Sequence, residues 1–573
     1  MTEDRGRLRI LWLMAAAATL AAVLLGRLAY WQVVQHGHIV ALAAEQRQVT
    51  FTLPASRGRI LDRGQQLLAS DTPVYDVVAA PTLIPADRRA ATAAILAPLL
   101  GRPAPDVLKD LSRKLQFEYL QHKLPREVAD KIVARHLGGI ALQQNVTRSY
   151  LSSDAGQGGK DARSLASNLL GFVNDLGQGQ YGVEQYYDAM LRGRDGVEST
   201  LKTGADQTIT LSDRKRVEPR NGDDLVLGLD SQVQFFAEKA LADGVKKTAA
   251  ESGTVLIMEP STGNIVAWAD YPTFDANHFA VSDGKLFTDP AVSSLYEPGS
   301  LMKVPTLSGG IDAGAITPGY TFNETGAVNV GGYTIRDWDL KAHGKITMTR
   351  VLEESYNVGA VKVQQMEGGA NFYKYLSLFG IGRKTGVDVG NEVAQPLPPL
   401  DSVYPSQLAT MSFGQGIAVT PIEMISALNT VANGGRYVSP RAVTQRIRSD
   451  GSVSALPVDR GAQVITPSTA QQMRDMMVSV VEHGSGFTAK IDGWAGQVAG
   501  KTGTANIPEN GKYTDKVVAS FAGFMPASNP RFTMVVIMRK PQGGGFQQEG
   551  TFAAAPVWKQ IAQQILMQWQ VTP

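Results

Sequence analysis

Thr254-Val255-Leu256-Ile257-Met258 and Asn264-Ile265-Val266-Ala267-Trp268-Ala269 are two apolar runs separated by Glu259-Pro260-Ser261-Thr262-Gly263. Apolar, β-branched stretches of this length on either side of a Pro- and Gly-containing turn read as a β-hairpin. Near the other end of the chain, residues 517–524 and 532–538 repeat the pattern around Met525-Pro526-Ala527-Ser528-Asn529-Pro530. Between the hairpins the periodicity is helical. Thr420-Pro421-Ile422-Glu423 has the spacing of a capping box with proline at the first helical position, and Gly434-Gly435 ends that helix. Thr466-Pro467 opens another, with Ala470, Met473, Met476, Met477, Val480 and Val481 at helical spacing, a core stripe rather than a cofactor box. Strands at both ends with helices between predict an α+β domain built on one antiparallel sheet that the two ends close together.

Upstream of about residue 253 the texture differs. Residues 46–230 mix Lys/Arg-rich helical pieces with Gly/Gln-rich loops at 154–160 and 177–180. The run Arg57-Gly58-Arg59-Ile60-Leu61-Asp62-Arg63-Gly64 packs three arginines and an aspartate into seven residues, which reads as a surface ion-pair network rather than a catalytic cluster. Further out, residues 10–34 are apolar apart from a few positions, enough for a helix of roughly 37 Å that crosses a bilayer with some tilt. Arg27 near its far end can snorkel, and Tyr30 and Trp31 suit an interfacial belt. Arg5, Arg7 and Arg9 precede the stretch and only Arg47 follows within fifteen residues, so the positive-inside rule keeps the N-terminus cytoplasmic and exports the rest. The alternative is a cleaved signal peptide, for which Ala41-Leu42-Ala43 offers an A-x-A site. The apolar stretch is longer than the usual h-region of about 7–15 residues, and that site lies well beyond its end.

Composition narrows the chemistry. With 573 residues, more than one domain is expected, and 55 basic against 53 acidic side chains leave no basic excess for nucleic acid. The absence of cysteine removes disulfides, thiolate nucleophiles and zinc-thiolate sites together. The seven histidines form no HExxH or HxxxH pattern, so no metal or other cofactor is expected, and no G-x-S-x-G elbow occurs. What remains is serine activated by lysine. A Ser-x-x-Lys on a helix sets hydroxyl and amine one turn apart on the same face, and a lysine kept neutral by burial and nearby positive charge can take the serine proton.

That pattern occurs four times, at Ser199/Lys202, Ser212/Lys215, Ser282/Lys285 and Ser300/Lys303; Lys-Thr-Gly occurs at Lys202, Lys384 and Lys501, and Ser-x-Asn once, at Ser355-Tyr356-Asn357. The first pair shares Lys202 with a Lys-Thr-Gly and precedes the α+β domain. The second lies in a charged stretch, the third in an irregular segment, and Lys384 follows a helix end. Only Ser300, Lys303, Ser355, Asn357 and Lys501 form an ordered set between the hairpins. Glu297-Pro298-Gly299 breaks the chain so that a helix starts at Ser300, and Pro305 predicts a kink or a looser first turn. Gly500-Lys501-Thr502-Gly503-Thr504-Ala505 is small on both sides of the lysine, a strand that another backbone or a substrate can approach closely. Residues 496–502 mimic a phosphate-binding loop, but only three residues separate the glycines and no helix signal follows.

These ordered elements are the ones that mark penicillin-binding proteins and serine β-lactamases, and the chain resembles a class B penicillin-binding protein, a monofunctional peptidoglycan transpeptidase. The run at 57–64 is similar to that family's signature at the start of its non-catalytic pedestal. Tyr181-Gly182-Val183-Glu184-Gln185 and Gly193-Arg194-Asp195-Gly196 are similar to later pedestal motifs. Met411-Ser412-Phe413-Gly414-Gln415-Gly416 with Val419-Thr420-Pro421 is similar to the stretch before the third active-site element. Length and the lack of appended C-terminal domains most resemble the division-associated branch.

The resemblance implies a cytoplasmic tail at 1–9, an anchor at 10–34, an elongated pedestal of dimerisation type at 35–235 and a transpeptidase domain at 236–573. It implies that Ser300 attacks the penultimate D-Ala carbonyl of a stem peptide, expelling terminal D-Ala, with Lys303 as acylation base. Ser355 would relay a proton to the leaving amine, and Asn357 would hold Lys303 and the substrate amide. Lys501 would supply positive potential and Thr502, beside Gly503, would contact the substrate or antibiotic carboxylate. The N–H groups of Ser300 and Thr504 would form the oxyanion hole. Tyr356, where the family commonly has a small residue, would stand near the acceptor path. The implied partners are D-Ala-D-Ala stem peptides, β-lactams, a SEDS-type glycan polymerase and other division membrane proteins. The expected site is the periplasmic face of the cell membrane. Alternatives are a β-lactamase or carboxypeptidase of the same fold, against which the long pedestal argues, and a penicillin-binding scaffold or sensor without turnover.

Overall fold

A computed structural model describes residues 3–39, 48–153, 163–201 and 215–572. The A-x-A triplet at Ala41, the Gly/Gln loop at 154–160, Arg47, Lys202 with its Thr203 and Gly204, and Ser212 lie outside the described residues. The chain divides into two units, Met1–Ser56 with Gly193–Asn221 and Arg57–Arg192 with Gly222–Pro573.

In the first unit the N-terminal helix Glu3–Ala29 continues as a π-helical turn, Tyr30–Val34. Within it Gly6–Val34 has a mean hydropathy of 2.1 and none of its most apolar window is covered by protein. Its 29 residues span about 44 Å, and it is the single helix among the described residues long and apolar enough to cross a membrane. The strand Gln48–Leu53 pairs antiparallel with Gly196–Leu201, which pairs in turn with Lys215–Val217. Asp195 of the Gly-Arg-Asp-Gly motif accepts the Ala55 N–H at 2.8 Å, holding the chain as it leaves the sheet.

In the second unit, α1 (Ser231–Thr248) leads into β1 (Ser252–Met258) and β2 (Ile265–Tyr271). Helices α2 (Lys303–Asp312), α3 (Asn357–Glu367), α4 (Pro421–Ala432) and α5 (Pro467–His483) follow. Then come β3 (Ala499–Glu509), β4 (Lys512–Met525), β5 (Phe532–Arg539) and α6 (Ala555–Gln568). The sheet order is β2-β1-β5-β4-β3, antiparallel throughout, with Leu256 opposite both Trp268 and Val535. The first and last hairpins therefore meet at β1 and β5, as the two apolar pairs predict. Alternation sorts the side chains: Val255, Ile257, Met534 and Val536 pack with α1 and α6, while Leu256, Met258, Val535 and Ile537 pack with α4 and α5. Both faces are covered, which is why these strands read as continuous apolar runs. The Thr420 capping box forms in both directions, and the methionine stripe of α5 is buried.

Two expectations are corrected. Ser300 lies in a 3-10 turn, Gly299–Met302, that runs into α2, rather than in a kinked or loosened α-turn. Pro305 has no N–H for the Leu301 carbonyl, so an α-turn there would lack its closing bond and the chain takes the tighter geometry. The 57–64 run is not a surface network. Arg57 is buried, its Nε 2.8 Å from Glu184 Oε2 and its Nη1 2.8 Å from Asp188. Arg148 Nε lies 2.8 Å from the other oxygen of Glu184, and its Nη1 3.2 Å from Asp71. Countercharge brought from elsewhere in the chain, for Arg57 from more than a hundred residues away, offsets the cost of desolvating these groups. Asp62 is also buried and accepts the N–H groups of Gly64 and Gln66. Only Arg59, paired with Asp224 at 2.7 Å, and Arg63 are exposed as expected.

The same unit holds a seven-stranded sheet. Asp224–Leu227 lies parallel to Ile60–Leu61 and antiparallel to Val443–Ile447, so residues from both halves of the chain share one set of backbone hydrogen bonds.

Candidate active site

The turn carrying Ser300 is shaped by two glycines. Gly299 has φ +55°, and a Cβ there would lie 2.8 Å from the Thr504 carbonyl oxygen; Gly414 has φ +82° and lies against Gly299. Only glycine lets the nucleophile turn, strand β3 and the 411–416 loop approach this closely. Glu297 fastens the entry to the turn, accepting the Gly416 N–H at 2.9 Å and the Tyr513 hydroxyl at 3.2 Å.

Lys303, the first residue of α2, is fully buried, and its Nζ stands 3.0 Å from Ser300 Oγ. Three further oxygens surround that nitrogen: the Ser355 carbonyl at 2.5 Å, Asn357 Oδ1 at 2.9 Å and Ser355 Oγ at 3.3 Å. Ser355 lies in the turn after the short helix Met348–Glu353 with φ +62°, and Asn357 opens α3, so the Ser-x-Asn element sits on a strained turn between two helices. On the far side, Lys501 of β3 is also fully buried and donates to Ser355 Oγ at 2.9 Å and to the Thr502 carbonyl at 2.9 Å. The result is one hydrogen-bonded chain, Ser300–Lys303–Ser355–Lys501, joining all three elements.

Burial, reinforced by the charge of Lys501 and opposed by Asp337, drives the Lys303 amine well below the usual lysine range. Burial brings Lys501 down to about 7, against the pull of Glu354. A neutral Lys303 has two N–H bonds and a lone pair. The Ser355 carbonyl and Asn357 Oδ1 can only accept, so they take the two N–H groups and leave the lone pair for a hydroxyl. The Ser300 hydroxyl, at 3.0 Å, is placed to donate into it.

The structure thus brings together Ser300, Lys303, Ser355, Asn357, Lys501 and Thr502, with Gly503 and Thr504 next along edge strand β3, beside the Ser300 turn. Tyr356 turns inward: it is buried and its ring stacks on His343 at 4.2 Å between centroids. Of the competing motifs, Lys285 and Lys384 lie among the described residues, and both lysines are exposed to solvent. Sequence reasoning missed Ser485, whose hydroxyl lies 2.8 Å from Thr502 Oγ1, although Gly484-Ser485-Gly486 is a glycine-flanked serine before the lysine strand. It also missed Asp337, which accepts the Val358 N–H at 2.9 Å and caps α3 in place of a Tyr356 side chain. No group of three or more metal-ligating side chains occurs among the described residues.

Residues 253–563 match the penicillin-binding protein transpeptidase domain, and residues 52–227 match the penicillin-binding protein dimerisation domain. The chain is similar to the penicillin-binding protein PbpB of Mycolicibacterium smegmatis, with 32% identity over 97% of this chain and 89% of that one. It is also similar to the peptidoglycan D,D-transpeptidase FtsI of Escherichia coli, at 28% identity over 96% of this chain and 90% of that one. Among solved structures it resembles penicillin-binding protein 3 of Mycobacterium tuberculosis complexed with aztreonam, with a TM-score of 0.69 and 26% identity, covering 91% of this chain and 98% of that one.

Proposed function

The chain belongs to the class B penicillin-binding proteins, a transpeptidase domain preceded by a dimerisation domain, and from that premise we propose that it is a serine D,D-transpeptidase that cross-links peptidoglycan stem peptides and is acylated by β-lactams. The observation that carries the reading is the hydrogen-bonded chain Ser300–Lys303–Ser355–Lys501, with both lysines buried.

Ser300 Oγ gives its proton to the neutral Lys303 amine and forms an ester with the carbonyl carbon of the penultimate D-Ala. The amide bond to terminal D-Ala breaks, and its nitrogen leaves as an amine after taking a proton through Ser355. An amine of a neighbouring stem peptide then attacks the ester, forming the cross-link and returning Ser300 to its hydroxyl. Asn357 holds Lys303 and the substrate amide. Protonated Lys501 and the Thr502 hydroxyl take the terminal carboxylate, with Gly503 leaving room for the substrate backbone. The N–H groups of Ser300 and Thr504 face the oxyanion, a contribution of about 3–4 kcal/mol per donor. A β-lactam enters the same path, but its ring amide opens without losing a fragment, so no leaving group clears the site.

The helix within residues 10–34 serves as a single membrane anchor, with Arg7 and Arg9 on the cytoplasmic side and the domains at 35–235 (pedestal) and 236–573 (transpeptidase) outside. Stem peptides arrive on growing glycan strands, which points to a separate polymerase of the multipass SEDS type as partner and to a place among the division membrane proteins. The test is the full chain supplied with glycan strands bearing pentapeptide stems. Release of D-Ala matched by cross-linked product, both lost in Ser300→Ala, is the expected result. Release of D-Ala with uncross-linked tetrapeptide alone would make it a carboxypeptidase instead.

A further inference from the structure

The Ser355 turn is strained, since a non-glycine residue at φ +62° persists only where its surroundings hold it. What holds it is the segment 336–343, which wraps the Ser-Tyr-Asn element from outside. The Arg336 carbonyl accepts from Asn357 Nδ2 at 3.1 Å, Asp337 caps Val358, and Trp338 Nε1 donates to the Glu354 carbonyl at 2.9 Å. The last member is His343. Its ring stacks on Tyr356, its Nδ1 lies 3.1 Å from the Tyr356 hydroxyl, and its Nε2 lies 3.0 Å from Asp339.

Chemistry fixes the direction of these bonds. An ionised Asp339 only accepts, so Nε2 carries the proton and Nδ1 offers a lone pair to the tyrosine hydroxyl. Burial pushes the Tyr356 phenol up to about 12, so it stays a donor. The Nδ1 lone pair is thus the acceptor that the Tyr356 hydroxyl finds at 3.1 Å. The charged groups facing this pair are Asp339, Asp337 and Glu324, with Arg350 and Glu354 from the preceding helix; Arg350 pairs with Glu354 at 2.9 Å.

We propose that His343, held by Asp339, is a positioning residue for the reaction: through Tyr356 it fixes the Ser355 turn, so acylation of Ser300 slows when the bond between His343 and Tyr356 is removed. The inference rests on the transpeptidase reading above and deepens it.

The test measures the rate constant of acylation by a fluorescent penicillin and the affinity of the complex that precedes it, on the full chain in detergent micelles, for wild type, Tyr356→Phe, His343→Asn and His343→Ala, with a thermal melt for each. Tyr356→Phe keeps the stacking ring and loses the hydroxyl bond. It should be slower by about three- to tenfold at pH 7.5, the worth of one hydrogen bond. His343→Asn keeps an acceptor for Tyr356 and should restore much of the rate lost in His343→Ala. The loss should fall on the acylation rate constant rather than on the affinity of the non-covalent penicillin complex, because Ser355 serves the reacting serine and lysine. A folded Tyr356→Phe acylated at the wild-type rate, or a folded His343→Asn no faster than His343→Ala, would overturn the proposal. A wild type that is not acylated at any pH would overturn the transpeptidase reading itself, and this inference with it.

Discussion

Two lysines on distant elements, α2 and β3, are both taken out of water within reach of one serine hydroxyl, and their unequal surroundings set their tasks. Lys303 has Lys501 as a positive neighbour and falls well below the ordinary range; Lys501 has Glu354 in support and stays at about 7. The reaction needs Lys303 neutral and Lys501 charged. Its kcat/KM therefore rises as Lys303 loses its proton and falls as Lys501 loses its own near pH 7, giving a bell whose alkaline limb belongs to Lys501. Lys501→Arg keeps the charge at all accessible pH and should abolish that limb, read as acylation rate against pH, while a limb unchanged by the substitution would refute the assignment. At this scale the sequence was informative because order alone separates Ser300, Lys303, Ser355, Asn357 and Lys501 from their decoys. The orientation of Tyr356 was not legible, because its partner His343 carries no motif of its own.

At the scale of elements, α2 is buried along nearly its whole length, and α3 packs against it carrying a carboxyl with neither oxygen hydrogen-bonded. That residue, Glu367, is pushed up to about 8 by burial. Unfolded, it releases its proton near the ordinary carboxyl value of 4.5; folded, it keeps it until about 8. The folded state thus binds the extra proton across that window, and stability falls as pH rises through it, by at most about 1.4 kcal/mol per unit. Glu367→Gln removes the titration and should flatten the dependence of Tm on pH between about 5 and 8, raising Tm at neutral pH; an unaltered slope would place the effect elsewhere. The helices were legible from caps and stripes, as Thr420 and the α5 methionines illustrate. The 3-10 turn at Ser300 was not, because a proline at 305 is compatible with a kink, a loose turn or a tight one, and packing of Gly299 against β3 selects among them.

Across the whole molecule, long-range pairing decides what local pattern leaves open. The sheet of β1–β5 was foreshadowed by two hairpins, but the strand that carries Lys501 pairs with β4, whose first residues, Lys512 to Lys516, have no apolar signature. The seven-stranded sheet was invisible, since Asp224–Leu227 meets strands about 160 and 220 positions away. Burial of Arg57 likewise depends on Glu184, which composition cannot place beside it. Glu184→Ala leaves Arg57 and Arg148 buried without their shared carboxylate and should cost about 3–5 kcal/mol, measured by denaturant unfolding; a loss under 1 kcal/mol would return the network to a surface role. The account as a whole stands on Ser300 as the nucleophile of a long-lived acyl-enzyme. Intact mass spectrometry of the full chain treated with benzylpenicillin tests it most directly. Wild type should gain the mass of one whole penicillin, located by peptide mapping on Ser300 and persisting for many minutes, and folded Ser300→Ala should gain none. An adduct on Ser300→Ala, or one that wild type sheds within seconds, would contradict it.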